Sequence, residues 1–233
     1  QIWGFQIMKK HLFNMQYIKV LEECGLQVSV LAKNEQYPDS TFVEDVALLT
    51  KECAIITKPG TPSRSGETVE IKKVLKDYYL NIEEVREPGI VEAGDIMMVG
   101  SHFYLGISAR TNENGAGQVI EFLKKYGMSG SLVKLDKVLH LKTGVSYLEQ
   151  NNLVATGEFL TKEEFQNFNI LEIADDESYA ANCIWVNDRV LIPKGYPKAR
   201  ETIASAGYSI IEVDVTEFQK LDGGLSCLSL RLF

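Results

Sequence analysis

The chain has 233 residues, 45% of them hydrophobic and 24% charged, with a formal net charge of −8. That balance is the one of an ordinary globular protein, and the acidic excess argues against a nucleic-acid groove, which needs a basic face. The apolar runs are too short to cross a bilayer, and Cys24, Cys53, Cys183 and Cys227 form neither a Cys-x-x-Cys pair nor a dense framework, so disulfide staples and a structural zinc are not expected.

In chain order, Leu12, Met15, Ile18, Val20 and Leu21 recur at helical spacing and predict a helix over 7–24, with Gly25 as its stop. Residues 26–31 alternate like a strand, and 34–40 are a polar loop containing Tyr37-Pro38-Asp39-Ser40. A hairpin is expected from 46–49 and 53–56 around Thr50-Lys51-Glu52, then a helix from about 66 to 79 and a strand at 81–85. The pattern recurs with strands at 96–99 and 103–107, a helix over 114–126 and a strand at 131–135. A third round gives strands at 145–148 and 153–156 and a short helix over 162–168. A fourth gives strands at 181–186 and 190–193, a helix near 198–206 and a strand at 210–213. A fifth opens on Gly223-Gly224 and ends in Leu228, Leu230 and Leu232, which alternate with Ser229 and Arg231 as in a half-buried strand.

This is an internal repeat of two or three strands and a helix. Unit starts near Glu44, Glu92, His140, Ala181 and Cys227 are spaced by about 41–48 residues. The fifth unit can be completed only from the N-terminus, so the repeat predicts a closed ring, in which equivalent strand starts converge on the axis. Glu44 or Asp45, Glu92, His140 and Cys227 would then meet. Strands in hairpins disfavour a doubly wound sheet, and no glycine-rich phosphate loop is present.

A cysteine, a histidine and carboxylates at one point suggest covalent catalysis without a metal. Acids beside a thiol raise its pKa by like-charge repulsion. The arrangement makes chemical sense when the substrate is a cation with an electrophilic carbon, and a guanidinium is one whose planar N–H fork matches carboxylates. The remaining cysteines read as core filling, His11 and His102 as surface residues, and Asp95 as a turn-stabilising acid.

Several stretches carry a resemblance: Tyr37-Pro38-Asp39-Ser40, Phe42-Val43-Glu44-Asp45, Thr57-Lys58-Pro59-Gly60 with Ser63-Arg64, Val91-Glu92-Ala93-Gly94-Asp95, Ser108-Ala109-Arg110-Thr111-Asn112, Leu139-His140-Leu141-Lys142-Thr143-Gly144, Tyr179-Ala180-Ala181-Asn182-Cys183 and Asp222-Gly223-Gly224-Leu225-Ser226-Cys227. In this order they resemble the bacterial dimethylarginine dimethylaminohydrolases of the guanidine-modifying (pentein) superfamily, which also holds arginine deiminases and amidinotransferases. The resemblance covers nearly the whole chain.

It implies an α/β fold, a pseudo-five-fold α/β-propeller of ββαβ repeats, as a single domain over 1–233. It implies hydrolysis of Nω-methylated L-arginines to L-citrulline and methylamines, with Cys227 as nucleophile, His140 as acid and then base, and Glu92 contacting the guanidinium and orienting His140. Asp45 would bind guanidinium N–H groups, Arg64 and Arg110 the substrate carboxylate, and Asp39 the amino-acid end. No metal or organic cofactor, no nucleic acid and no membrane are implied; a cytoplasmic location and a homodimer are. The family's first strand and covering loop are not recognisable in the sequence, and both are expected to be missing. Arginine deiminases typically carry His-x-Asp in the third unit, whereas His140-Leu141-Lys142 has no acid there, which favours a substituted guanidine. The alternatives are a deiminase-like hydrolase of free arginine and a non-catalytic binder of arginine analogues.

Overall fold

A computed structural model describes residues 5–9, as backbone, and 15–232. The strands are β1 (Phe5–Lys9), β2 (Gln27–Leu31), β3 (Ala47–Leu49), β4 (Ala54–Ile56), β5 (Ile82–Glu84), β6 (Ile96–Val99), β7 (His102–Ile107), β8 (Ser129–Lys134), β9 (Val145–Tyr147), β10 (Asn152–Ala155), β11 (Asn169–Glu172), β12 (Ile184–Val186), β13 (Arg189–Pro193), β14 (Ser209–Val213) and β15 (Leu230–Leu232). The helices are α1 (Met15–Glu23), α2 (Glu67–Leu75), α3 (Glu113–Lys125), α4 (Pro197–Ser205) and α5 (Thr216–Gln219).

The described strands form five three-stranded sheets, ordered β3-β4-β5, β6-β7-β8, β9-β10-β11, β12-β13-β14 and β15-β1-β2. Each repeats one scheme. The first strand is antiparallel to the second, joined to it by a hairpin in every sheet but β15-β1-β2, and the third is parallel to the second, as a crossover requires. The α/β class is therefore as read from the sequence. Strand pairing joins strands only within each sheet and no sheet closes on itself, so the pairing alone does not define a propeller.

Helix ends follow local chemistry. The Asn112 side chain caps α3 by accepting the Gly115 N–H at 2.8 Å. Lys124 and Lys125 occupy its last turn, where the helix dipole favours cations. Ala116, Val119 and Leu123 form its buried stripe. Gly25, at φ +84°, stops α1 as expected. The apolar interior is divided into clusters rather than pooled. In one of them, Tyr17, Val20 and Leu21 of α1 pack on Ile184, Leu191 and Val213 of the fourth sheet, so the helix of the fifth unit covers the sheet of the unit before it.

Three elements differ from expectation. Residues 7–9 belong not to a helix but to β1, which pairs with β15 on one side and β2 on the other. Helical spacing of apolar residues persists upstream of Met15 by coincidence, and sheet completion overrides it. The N-terminal strand expected to be missing is therefore present. Leu12, His11 and any covering loop lie outside the described residues. The third unit has no α-helix over 162–168; two 3-10 turns, Gly157–Leu160 and Glu163–Phe165, stand there instead. Their Phe159 and Phe165 are fully buried, so packing of rings replaces the helical stripe. Strand β11 follows them and was not expected from the sequence.

Candidate active site

The cysteine of the last unit is reached through a sharp turn. Asp222 adopts a left-handed conformation at φ +59°, Gly223 and Gly224 follow, and a 3-10 turn over Ser226–Leu228 carries Cys227 into β15. The Cys227 N–H donates to Gly224 O at 3.2 Å, which pins the turn. Cys227 is half-buried and lines a cavity with His140, whereas Cys24, Cys53 and Cys183 are buried.

That cavity, of about 470 Å3, is lined by Cys227 and His140 together with Gly94, Lys142, Tyr179 and Asn182. The sequence placed Cys227 and His140 in one site, and the structure brings both to its wall. Behind His140 lies Glu92, 1% exposed, whose Oε2 is 2.8 Å from His140 Nε2. Its other oxygen, Oε1, is buried without a hydrogen-bond partner, although Arg110 Nη1 lies 3.7 Å away. Burial works against a charged imidazole, but the Glu92 hydrogen bond and the charges of Asp45 and Asp95 outweigh it and hold His140 above its ordinary pKa.

Asp45 is buried and doubly held. Its Oδ1 accepts the Gly94 N–H at 3.0 Å, and its Oδ2 receives Arg64 Nη1 at 2.6 Å. Burial favours its protonation, but the positive charges of His140 and Arg64 prevail and keep the carboxyl below the usual range. Gly94 is required by closeness: a Cβ there would stand 2.8 Å from Asp45 Oδ1 and 3.0 Å from His140 Cγ and Nδ1.

The thiol is not activated by its surroundings. Burial pushes Cys227 up to about 12, and the negative charges of Glu44 and Asp45 add to the effect, against opposing help from the Gly224 backbone and Lys142. A cation in the cavity would reverse the sign of that local field. Glu44 itself is tied down, with Oε1 2.5 Å from Lys142 Nζ and Oε2 accepting Ser226 Oγ at 2.8 Å.

The two arginines differ. Arg110 is half-exposed, donates Nη1 to Thr61 Oγ1 at 2.7 Å and leans toward Glu92. Arg64 is 6% exposed, and its nitrogens already donate within the protein: Nε to Glu67, Nη1 to Asp45, and Nη2 to Glu67 and Phe42 O. Expected to face a substrate carboxylate, Arg64 instead braces Asp45. Asp39 is exposed, and its main-chain O lies 3.4 Å from Arg64 Nη2. Asp95 has the structural part expected of it: fully buried, it accepts Ser108 Oγ at 2.7 Å and the Leu141 N–H at 2.9 Å.

Sequence reasoning missed Glu67 as the counter-charge of Arg64, and Asn182, Ser226 and Tyr179 as supports of the cysteine turn. Glu67 sits in the first turn of α2 and looks like an ordinary surface acid. Asn182 and Ser226 flank Cys183 and Cys227 within stretches quoted above, and that position was the available signal. Asp45, Glu92 and His140 also bring ligand atoms within 4.8 Å of one another, a set that could hold a cation. Asp45 is already paired with Arg64 and Glu92 with His140, so the donor set suits a delocalised organic cation bound by hydrogen bonds better than a compact metal ion.

A family model described as arginine deiminase matches residues 35–194. The chain is 59% identical to the N(G),N(G)-dimethylarginine dimethylaminohydrolase of Pseudomonas aeruginosa over 216 residues, 92% of this chain and 85% of that protein. The chain belongs to the dimethylarginine dimethylaminohydrolase family. A Streptomyces coelicolor member of that name is 31% identical over 216 residues, 93% of this chain and 83% of its own. The solved structure of the Pseudomonas aeruginosa protein, a cysteine-to-serine mutant complexed with citrulline, matches with TM-score 0.97 at 50% identity, covering 100% of both chains. The chain thus has the α/β architecture of this dimethylarginine dimethylaminohydrolase along its length.

Proposed function

We propose that the protein hydrolyses Nω-methylated L-arginines, asymmetric dimethylarginine and monomethylarginine, to L-citrulline and the corresponding methylamine. The observation that carries this reading is the acid-flanked, unactivated thiol of Cys227 sharing one cavity with His140. Such a thiol ionises when a cation arrives, and a guanidinium is a cation that also carries the electrophilic carbon. Close similarity to proteins named for this reaction, one solved with citrulline, supports the same substrate class.

In this mechanism the guanidinium lies between Cys227 and His140, and Asp45 and Glu92 accept its N–H groups. Its charge offsets theirs and lets the thiol lose its proton to solvent. The sulfur attacks the guanidinium carbon. His140, kept protonated by Glu92, Asp45 and Asp95, gives a proton to the departing methylamine as the C–N bond breaks. A thiouronium remains on Cys227. His140, now neutral, takes a proton from water; the hydroxide adds to the same carbon, the C–S bond breaks as the adduct's hydroxyl proton passes to the sulfur, and citrulline leaves with the thiol restored. Arg110 receives the α-carboxylate, Asp39 the ammonium end, and Arg64 acts on substrate through Asp45. Lys142, held by Glu44, stands where a deiminase acid would sit, so no unpaired carboxylate meets a methylated nitrogen.

The reading takes 1–233 as one five-bladed propeller. A small cavity of about 110 Å3 supports this, because β3, β6, β9, β12 and β15, the first strand of every sheet, all contribute to its lining. It also takes a methylated arginine as the small-molecule partner, with no metal or cofactor, a cytoplasmic location and a homodimer. Among the described residues no helix is long and apolar enough to cross a membrane.

The test is citrulline release from asymmetric dimethylarginine and from arginine in parallel. Turnover of the methylated substrate, its loss in Cys227→Ser with binding retained, and a mass adduct on Cys227 after exposure to an electrophilic amidine are expected. Preferred turnover of arginine would refute the substrate assignment. Equal binding without turnover by wild type and Cys227→Ser would refute catalysis altogether.

A further inference from the structure

The turn that carries Cys227 and the segment that carries His140 come from different units, and backbone pairing does not join them. Side chains do: Glu44 accepts from Lys142 Nζ and Ser226 Oγ, and Asn182 reaches the main chain of both segments. Asn182, 6% exposed, donates from Nδ2 to Lys142 O at 2.9 Å, two residues past His140. The same Nδ2 donates to Ser226 Oγ at 3.1 Å. Its Oδ1 accepts the N–H of Ser226, the neighbour of Cys227, at 3.0 Å. The amide therefore spans the gap between acid and nucleophile with both of its ends occupied.

The fit around it leaves no slack. A Cβ on Gly224 would stand 2.5 Å from Asn182 Cγ and 2.6 Å from its Oδ1, so the turn lies flat against the amide plane. Ser226 Oγ passes the contact on to Glu44 Oε2. From the 3-10 segment Asp175–Ala181, which Asn182 follows, Tyr179 donates its hydroxyl to Gly223 O at 2.6 Å and fixes the other side of the turn. Asn182 also lines the substrate cavity, yet its polar atoms point into the protein.

We infer that Asn182 is a positioning residue that sets the placement of Cys227 relative to His140 by bridging Lys142 O to the Ser226 N–H. This rests on the proposed covalent mechanism, in which one carbon must face sulfur on one side and receive proton transfer from His140 on the other. Such reactions tolerate little displacement: a shift of about 1 Å can cost about a hundredfold in rate. Asn182 chooses the geometry of the chemical step and leaves the grip on the amino-acid end to Arg110 and Asp39.

The experiment compares wild type, Asn182→Ala and Asn182→Ser in turnover of asymmetric dimethylarginine. It also compares their rates of Cys227 modification by an electrophilic amidine and by neutral iodoacetamide. The Ala variant should lose about 10- to 100-fold in kcat with KM within about threefold. Its amidine rate should fall by a similar factor while its iodoacetamide rate changes by less than about threefold, because the thiol remains present and only its alignment is lost. A merely structural residue would shift thermal stability without separating the two probes. The Ser variant keeps one hydroxyl that can serve Ser226 and should recover part of the loss; it carries the test if the Ala variant does not fold. Unchanged kcat in a folded variant, or equal slowing by both probes, overturns the inference. An inactive wild type would instead overturn the proposed function on which it rests.

Discussion

Gly94→Ala is the sharpest probe of the site. The added methyl would lie 2.8 Å from Asp45 Oδ1 and 3.0 Å from two atoms of the His140 ring. Restoring ordinary contact moves those groups by about 0.4–0.6 Å. Neither can yield cheaply, since Asp45 is fixed by Arg64 and His140 by Glu92. Half of the displacement that costs about a hundredfold corresponds to roughly tenfold, about 1.4 kcal/mol of transition-state stabilisation. Steady-state kinetics on asymmetric dimethylarginine should show that loss in kcat, with KM changed less because the atoms nearest the new methyl belong to Asp45 and His140 and not to Arg110. Thermal melting should fall only modestly, as overpacking costs about 1–3 kcal/mol. A variant with wild-type kcat, in conditions where the chemical step limits turnover, would refute the claim that the imidazole and Asp45 act from fixed positions.

Glu92→Gln removes the hydrogen-bonded charge that holds the His140 proton, so the histidine pKa falls and the alkaline limb of the kcat profile moves to lower pH; an unmoved limb would contradict the assigned pair. The sign for stability follows: a raised histidine contributes fully below its unfolded pKa and loses that contribution as pH rises through the folded value. Chemical denaturation of the variant across neutral to alkaline pH should therefore show a flatter decline. Arg64→Ala strands Asp45 and Glu67 as buried acids and should cost about 3–5 kcal/mol, read as a drop in Tm of roughly 10 °C; a change under about 1 kcal/mol would show that the brace is idle. Arg110→Ala removes a charged contact worth about 1.5–3 kcal/mol, so KM should rise by roughly 10- to 100-fold with kcat nearly kept. A methylated guanidine lacking the carboxylate should not notice the change, and equal sensitivity of both substrates would remove Arg110 from the carboxylate.

Much of the fold was legible because hairpins announce themselves. Val46 to Ile56 and Ile96 to Ile107 are alternating or apolar runs around short polar turns, and each lands within a residue or two of its observed strands. The repeat spacing then placed Cys227 and His140 at one point without any knowledge of contacts. The failures share a cause. At residues 7–9 and 162–168, a helical spacing of apolar residues was outweighed by partners distant in sequence, β15 in the first case and a cluster of buried phenylalanines in the second. The supporting polar groups were illegible for a similar reason. Nothing local distinguishes Glu67 from a surface acid at the start of a helix, and its burial depends on Arg64 being turned toward it. Arg64 itself, read as a ligand for substrate, is a reminder that charge type survives in sequence while orientation does not.

In the fifth sheet β15 pairs with β1, more than two hundred residues earlier in the sequence. Contacts between such remote segments are the slowest to form, because a long loop must be closed before they can stabilise anything. The reactive sulfur therefore matures last. Until β1 and β15 pair, the imidazole and its acids can be in place while nothing holds the turn that presents Cys227 to them, so citrulline-forming turnover, not the mere presence of a thiol, should appear only once that sheet is complete.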